Sequence, residues 1–160
     1  MLVCDTAIPV WHESYRELPF AFVGGAAASA GACAVIANRA EVAGPARRLL
    51  VLGAALELVA TRRMERALPD PVGAPYRVGR AGRWSKVATG LTATGAGLVA
   101  LGGRRRSWGV LGGALVLGGA ALERFVVLEA GRESARDPRA VVVPQRARVQ
   151  DASGSDRATQ

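Results

Sequence analysis

Apolar blocks alternate with basic segments four times along the 160 residues. The first block, FAFVGGAAASAGACAVI from Phe20 to Ile36, carries no charge, and Pro19 just before it suits a helix start. The second follows Pro45 as ARRLLVLGAALELVATRRMERAL; its clean part, Leu49 to Ala60, contains Glu57 and has the weakest hydropathy signal. The third is VATGLTATGAGLVALGG, Val87 to Gly103, and the fourth is SWGVLGGALVLGGAALERFVVLEAG, Ser107 to Gly131. A hydrocarbon core about 30 Å thick needs roughly 20 residues of helix. The pattern therefore predicts an all-α membrane protein, a bundle of about four transmembrane helices over residues 20–37, 46–66, 86–103 and 107–129. That unit fills 1–148, and the polar stretch QDASGSDRATQ leads to a disordered tail over 149–160.

Small residues recur every fourth position in these blocks: Gly24, Ala28 and Ala32 in the first, Ala93 and Gly97 in the third, Gly109 and Gly113 in the fourth. Such spacing gives each helix a flat face that lets backbones approach closely in a membrane. A tight bundle is expected from it, and single-pass behaviour is not.

Composition sharpens the picture. There are 21 Lys+Arg against 13 Asp+Glu, a net charge of +8, and only Lys86 among the cations is a lysine. Nucleic-acid binding is disfavoured, because the cations gather between apolar blocks and no zinc-finger spacing, aromatic RNA-binding strand or basic region with heptads is present. Arginines are densest between the second and third blocks (Arg62, Arg63, Arg66, Arg77, Arg80, Arg83) and after Gly131. The cation bias places the N-terminus, that long loop and the tail in the cytoplasm, with the triplet Arg104 to Arg106 as the exception on the other side. Cys4 and Cys33 are too few for a disulfide framework or a four-thiolate cluster, and Cys33 is expected to be a small packing residue. His12 is the only histidine, which excludes a bis-histidine haem within the chain. The opening MLVCDTAIPVWHES lacks the layout of a signal peptide.

Ionisable groups at membrane depth cost about 2.5 to 3.5 kcal/mol each on insertion scales and mark functional or paired positions. Four stand out: Glu57, Glu65, Glu123 and Arg124. Glu57 and Glu65 are eight residues apart, about 80° around a helix, so they share one broad face with Thr61 between them. Glu123 and Arg124 are adjacent and point about 100° apart, so each needs a partner elsewhere. Two readings stay open: a buried ion pair, with Glu57 meeting Arg124 between helices, or a proton-relay path.

Several segments together resemble one family. TAIPVWHESYRELPFAF, then ELVATRRMERAL with GAPYRVGRAGRWSKVATGLTATGAG, and above all ERFVVLEAGRESARDPRAVVVPQRAR look like the C-terminal half of the NrfD/PsrC family of polysulfide-reductase-type integral membrane subunits. The ordered set Glu123, Arg124, Ala130, Gly131, Ser134, Ala135, Asp137, Pro138, Pro144, Gln145 and Arg146 carries the resemblance most specifically.

The resemblance implies a membrane anchor and quinone-interacting subunit of an iron–sulfur molybdoenzyme-type respiratory complex in a bacterial cytoplasmic membrane, serving anaerobic respiration. The chain would bind no cofactor itself. Menaquinone or ubiquinone would be the substrate, a ferredoxin-like iron–sulfur subunit and a molybdopterin catalytic subunit the partners, and membrane lipid the surroundings. Family members have about twice this length, so the chain is expected to be a fragment lacking the N-terminal helices, with MLVCDTAIPVW as the end of a preceding helix and its exit turn. Quinone reduction takes up two protons, which gives Glu57, Glu65 and Glu123 a relay role. His12 and Tyr15 are weaker candidates for quinone contact, beside Trp11 and Tyr15 as interfacial anchors and His12 as a turn cap. The alternative is a non-redox four-helix membrane scaffold or assembly protein.

Overall fold

Two prolines mark where apolar blocks become helices. Pro19 and Pro45 stand in the first turns of helices that begin at Leu18 and Gly44, where a missing backbone N–H leaves nothing unsatisfied. The computed structural model describes residues 8–68, 73, 79–102, 105–136 and 142. Among them the elements are α1 (Pro9–Glu13), α2 (Leu18–Ala37), α3 (Gly44–Ala67), α4 (Gly79–Leu101) and α5 (Arg106–Arg136), with no strand. The long helices run alternately up and down. α2 packs most extensively on α3 and α4 on α5, and the two hairpins meet through α2 with α5 and α3 with α4.

α2 and α5 are long and apolar enough to cross a membrane. α3 and α4 have 24 and 23 residues, so they have the length but a more polar composition. At 1.5 Å per residue the 31 residues of α5 extend about 46 Å, so its C-terminal end projects well past the 20-residue α2.

The interior combines glycine and alanine contacts with two clusters of larger apolar side chains. At the end where α2 finishes and α3 starts, Ala28, Ala32, Val35, Leu50, Ala54, Val99 and Val116 form one core cluster. At the other end Val10, Leu18, Met64, Leu68, Val126 and Ala130 form a second. Close approach is extreme between α2 and α3: a Cβ added at Gly24 would lie 2.5 Å from the Glu57 backbone nitrogen, and one at Gly31 the same distance from that of Leu50. α4 and α5 meet likewise, with a Cβ at Gly95 lying 2.6 Å from the Gly112 carbonyl oxygen. Large apolar side chains point outward instead, among them Phe20, Val23, Leu52, Val59, Leu111 and Phe125.

Several sequence expectations need correction. The contact face of α4 is Ala88, Thr92, Gly95 and Val99, which are buried, whereas Ala93 is exposed and Gly97 has open space where a side chain would go. α4 starts at Gly79 instead of 86, because Arg80, Arg83 and Lys86 are exposed while Ala81 and Ser85 between them are buried; the basic segment forms about two amphipathic turns, which hydropathy alone does not register. α5 continues seven residues past 129 for the same reason, its buried Ala130, Gly131 and Ser134 alternating with charged positions. Cys33 is exposed and is not a core residue.

The segment before α2 also differs from the expected exit turn. PVWHE forms the short α1, and Trp11 is a tertiary anchor: its Nε1–H donates to the Val127 carbonyl at 3.0 Å, and its ring lies over Gly131, where any side chain would collide with it. Gly131 of the sequence motif is thus a seat for Trp11. Ser14 closes α1 by donating from its hydroxyl to the Val10 carbonyl at 2.6 Å.

Arg106 explains part of the charge exception. Its guanidinium donates to the Asn38 and Ile36 carbonyls at 2.5 and 3.0 Å, satisfying orphan acceptors at the end of α2 where a cation is also favoured by the helix dipole. A cation retained for capping says little about orientation. Met1–Ala7, the tail over 149–160 and the motif residues Asp137, Pro138, Pro144, Gln145 and Arg146 lie outside the described residues.

Candidate functional site

Gly25 makes room for an acid. Its missing side chain leaves space on α2 into which Glu57 of α3 reaches, and a Cβ there would sit 2.7 Å from Glu57 Oε1. Glu57 is only 5% exposed, and its Oε2 has no hydrogen-bond partner among the described residues. Thr61, one turn further along the same face, is buried too, and its hydroxyl also lacks a partner there. Buried polar groups are nearly always satisfied, so two orphans a turn apart call for an explanation in chemistry.

Glu57, Glu123 and Arg124 all face one cavity of about 10 Å³ between α2, α3 and α5, whose apolar wall includes Leu18, Phe22 and Met64. That is about the space one water needs. Gly25 lies seven residues into α2, so the cavity sits about 10 Å along the helix from its start. The site is therefore inside the bundle, nearer the end that carries α1, the 68–78 connection and the arginine-rich end of α5.

Electrostatics there are unbalanced. Glu123 is half-buried and within electrostatic reach of Glu57, Glu65 and Arg124, and Glu57 is within reach of Arg124. Glu57 and Glu123 thus share one guanidinium, and Glu65 adds its charge at Glu123. Arg124 makes no contact short enough for a salt bridge with any of them among the described residues; its Nη1 donates to the Ala120 carbonyl one turn back at 2.6 Å. The expected Glu57–Arg124 pair is a long-range attraction and not a bonded contact. Glu123 is half-buried and Arg124 exposed, and both line the cavity.

Glu65 does not join Glu57 at the cavity. Its Oε1 accepts a hydrogen bond from the Ser85 hydroxyl of α4 at 2.8 Å, so it ties α3 to α4 and reaches the site only through its charge. His12 and Tyr15 are exposed near the same end of the bundle. The Tyr15 hydroxyl accepts from Arg16 Nε at 2.8 Å, with the guanidinium also 5.5 Å from the ring centre. His12 contributes its backbone carbonyl to the turn after α1 and no capping side chain. Neither ring is brought to the cavity. Gly25 and Ser85 carry no mark in the sequence reading; the signal for Gly25 is a small residue on the helix that faces Glu57, the only acid between Leu49 and Ala60.

Chemically, the arrangement can hold a proton on a carboxyl group and exchange it through one water with a second carboxyl. It has no space for a ring-sized ligand. No group of three or more His, Cys, Asp or Glu arranged to hold a metal ion occurs among the described residues. No protein-family model, curated protein or solved structure matches this chain.

Proposed function

We propose that this chain is a multi-pass subunit of a bacterial cytoplasmic membrane, similar to NrfD/PsrC proteins, that serves a quinone-linked oxidoreductase complex as anchor and as proton path. Membrane embedding of all four long helices is supported by close glycine and alanine contacts between them together with large apolar side chains, among them Phe20, Leu52, Val59, Leu111 and Phe125, left on the outside. Apolar patches of that extent are rare on soluble monomers. Packing by small residues also matches what association in lipid requires, since apolar burial alone gives helices no advantage there.

The observation that carries the functional reading is the unpartnered Oε2 of buried Glu57, on a water-sized cavity shared with Glu123 and Arg124. Quinone reduction consumes one proton per electron, and the protons must cross a low-dielectric region on defined groups. In this reading Glu57 and Glu123 exchange a proton through one water, and Arg124 keeps the pair from carrying two uncompensated charges. A cavity of about 10 Å³ cannot hold a quinone ring. The headgroup would therefore sit on a surface that this chain shares with further helices, where exposed His12 and Tyr15 remain available as hydrogen-bond partners. Electrons would come from a ferredoxin-like iron–sulfur subunit and substrate chemistry from a molybdopterin subunit.

The test is Glu57→Gln in the assembled complex. Glutamine keeps the shape and cannot carry the proton, so quinone-linked turnover should fall by at least about tenfold, in line with the contribution of positioned proton-transfer groups. The amount of subunit in the membrane should stay the same. Full turnover in that variant removes the relay.

The small size of the same cavity favours a second reading, a non-redox four-helix scaffold in which Glu57 is only a packing and ion-compensating residue. Co-purification separates the two. A complex containing an iron–sulfur protein supports the first, and its absence from intact membranes supports the second.

A further inference from the structure

At the end of the bundle that carries the long connection, a groove of about 360 Å³ runs between the start of α4 and the second half of α5. Its floor is apolar, from Leu122, Phe125 and Trp84, and its rim is charged, from Arg80 and Arg132 with Glu129. A second groove of about 320 Å³ lies on the other side of Trp84, bounded by Arg80, Arg83 and Val87. Trp84 is therefore a ridge between two grooves, and Arg80, one turn toward the helix end, borders both. Along each helix the order is the same: cations at the end and apolar side chains deeper in.

None of Arg80, Arg83 and Arg132 takes part in an ion pair within 4 Å among the described residues. Three guanidinium groups against the one Glu129 carboxylate leave two net positive charges at the rim. Trp84 and Phe125 are 49% and 68% exposed, so the apolar floor is uncovered among the described residues. A tryptophan at a helix end with arginines just beyond it is the arrangement expected at a bilayer interface, and basic pockets between spanning helices suit anionic headgroups.

We propose that this double groove is a binding site for an anionic diacyl phospholipid. The phosphate lies against Arg80, with Arg83 and Arg132 on either flank, and one acyl chain runs down each side of Trp84. Charge complementarity selects the anionic lipid over a zwitterionic one, and the paired grooves select a two-chain lipid over a free phosphate. The site needs only an embedded bundle and stands apart from the quinone reading.

The full chain, with Trp108→Phe to remove one background signal, is reconstituted in phosphatidylcholine vesicles carrying small fractions of brominated phosphatidylglycerol or brominated phosphatidylcholine. Brominated phosphatidylglycerol should quench tryptophan fluorescence preferentially, and Trp84→Phe should abolish that preference. Each of Arg80→Gln and Arg132→Gln should weaken it by about fivefold, the effect of one basic residue near an anionic surface. Glu129→Gln should strengthen it, a change that misfolding would not produce. Equal quenching by both lipids overturns the proposal. Displacement by millimolar inorganic phosphate would make this a phosphate site instead, and the absence of quenching by either lipid would overturn the proposal in favour of a second copy of the chain covering the groove.

Discussion

Gly53→Leu is expected to abolish the folded bundle. A Cβ at position 53 would overlap the Ala28 backbone nitrogen and lie 2.8 Å from the Gly24 carbonyl oxygen. Both obstacles are main chain in the middle of α2, so no rotamer change can relieve them. Overpacking a core where side chains can yield costs about 1 to 3 kcal/mol; here the helices must separate along their whole contact. Separation would also carry the Glu57 backbone away from Gly24, so the buried site would open together with the core. Even Gly53→Ala should lower the midpoint of unfolding in detergent, and Gly53→Leu should leave no cooperative transition. Gly90→Ala is the matched control, since a Cβ there meets nothing within 4 Å. It should be neutral or stabilising by up to about 1 kcal/mol through helix propensity. A normal melting curve for Gly53→Leu would show that α2 and α3 are not packed in this register.

Those contacts also mark the boundary of what sequence alone conveys. The ends of α2 are legible because an uncharged block flanked by Pro19 and Asn38 leaves little choice. Register between helices is not. Ala93 and Gly97 satisfy the small-residue spacing as well as Gly95 does, and only the rotation of α4 against α5 decides that Gly95 faces Gly112. Trp11 shows a related limit. Amphipathic aromatics near a span fit an interface on composition, but Trp11 has a backbone carbonyl at Val127 to bond and a glycine at 131 to lie on. Both are more than a hundred residues away in the chain, and neither is visible locally. Glu57 is legible as a problem, an acid inside an apolar block. Its solution, a cavity against Gly25 with Glu123 and Arg124 opposite, depends on three helices meeting.

Arg124→Gln is expected to destabilise the protein by about 1 kcal/mol, because the guanidinium is exposed and acts on the acids at a distance. Among the described residues Arg124 is the cation whose charge acts on both Glu57 and Glu123. Removing it leaves two carboxyl groups on one small cavity, with Glu65 adding repulsion at Glu123. Because the guanidinium bonds to the Ala120 carbonyl and to neither acid, the loss is electrostatic and should follow charge more than shape. Glu57→Gln placed on top of Arg124→Gln should therefore recover most of the lost stability, a coupling that a double-mutant cycle isolates. Unfolding free energies of the four proteins in one detergent provide the check. If the double variant is as unstable as the sum of the singles, Arg124 acts through packing alone. In that case Glu57 carries no charge that Arg124 compensates, and the proton path loses its electrostatic basis. Recovery in the cycle together with lost turnover in Glu57→Gln alone would mean that the charge stabilised by Arg124 and the proton used in turnover reside on the same carboxyl group.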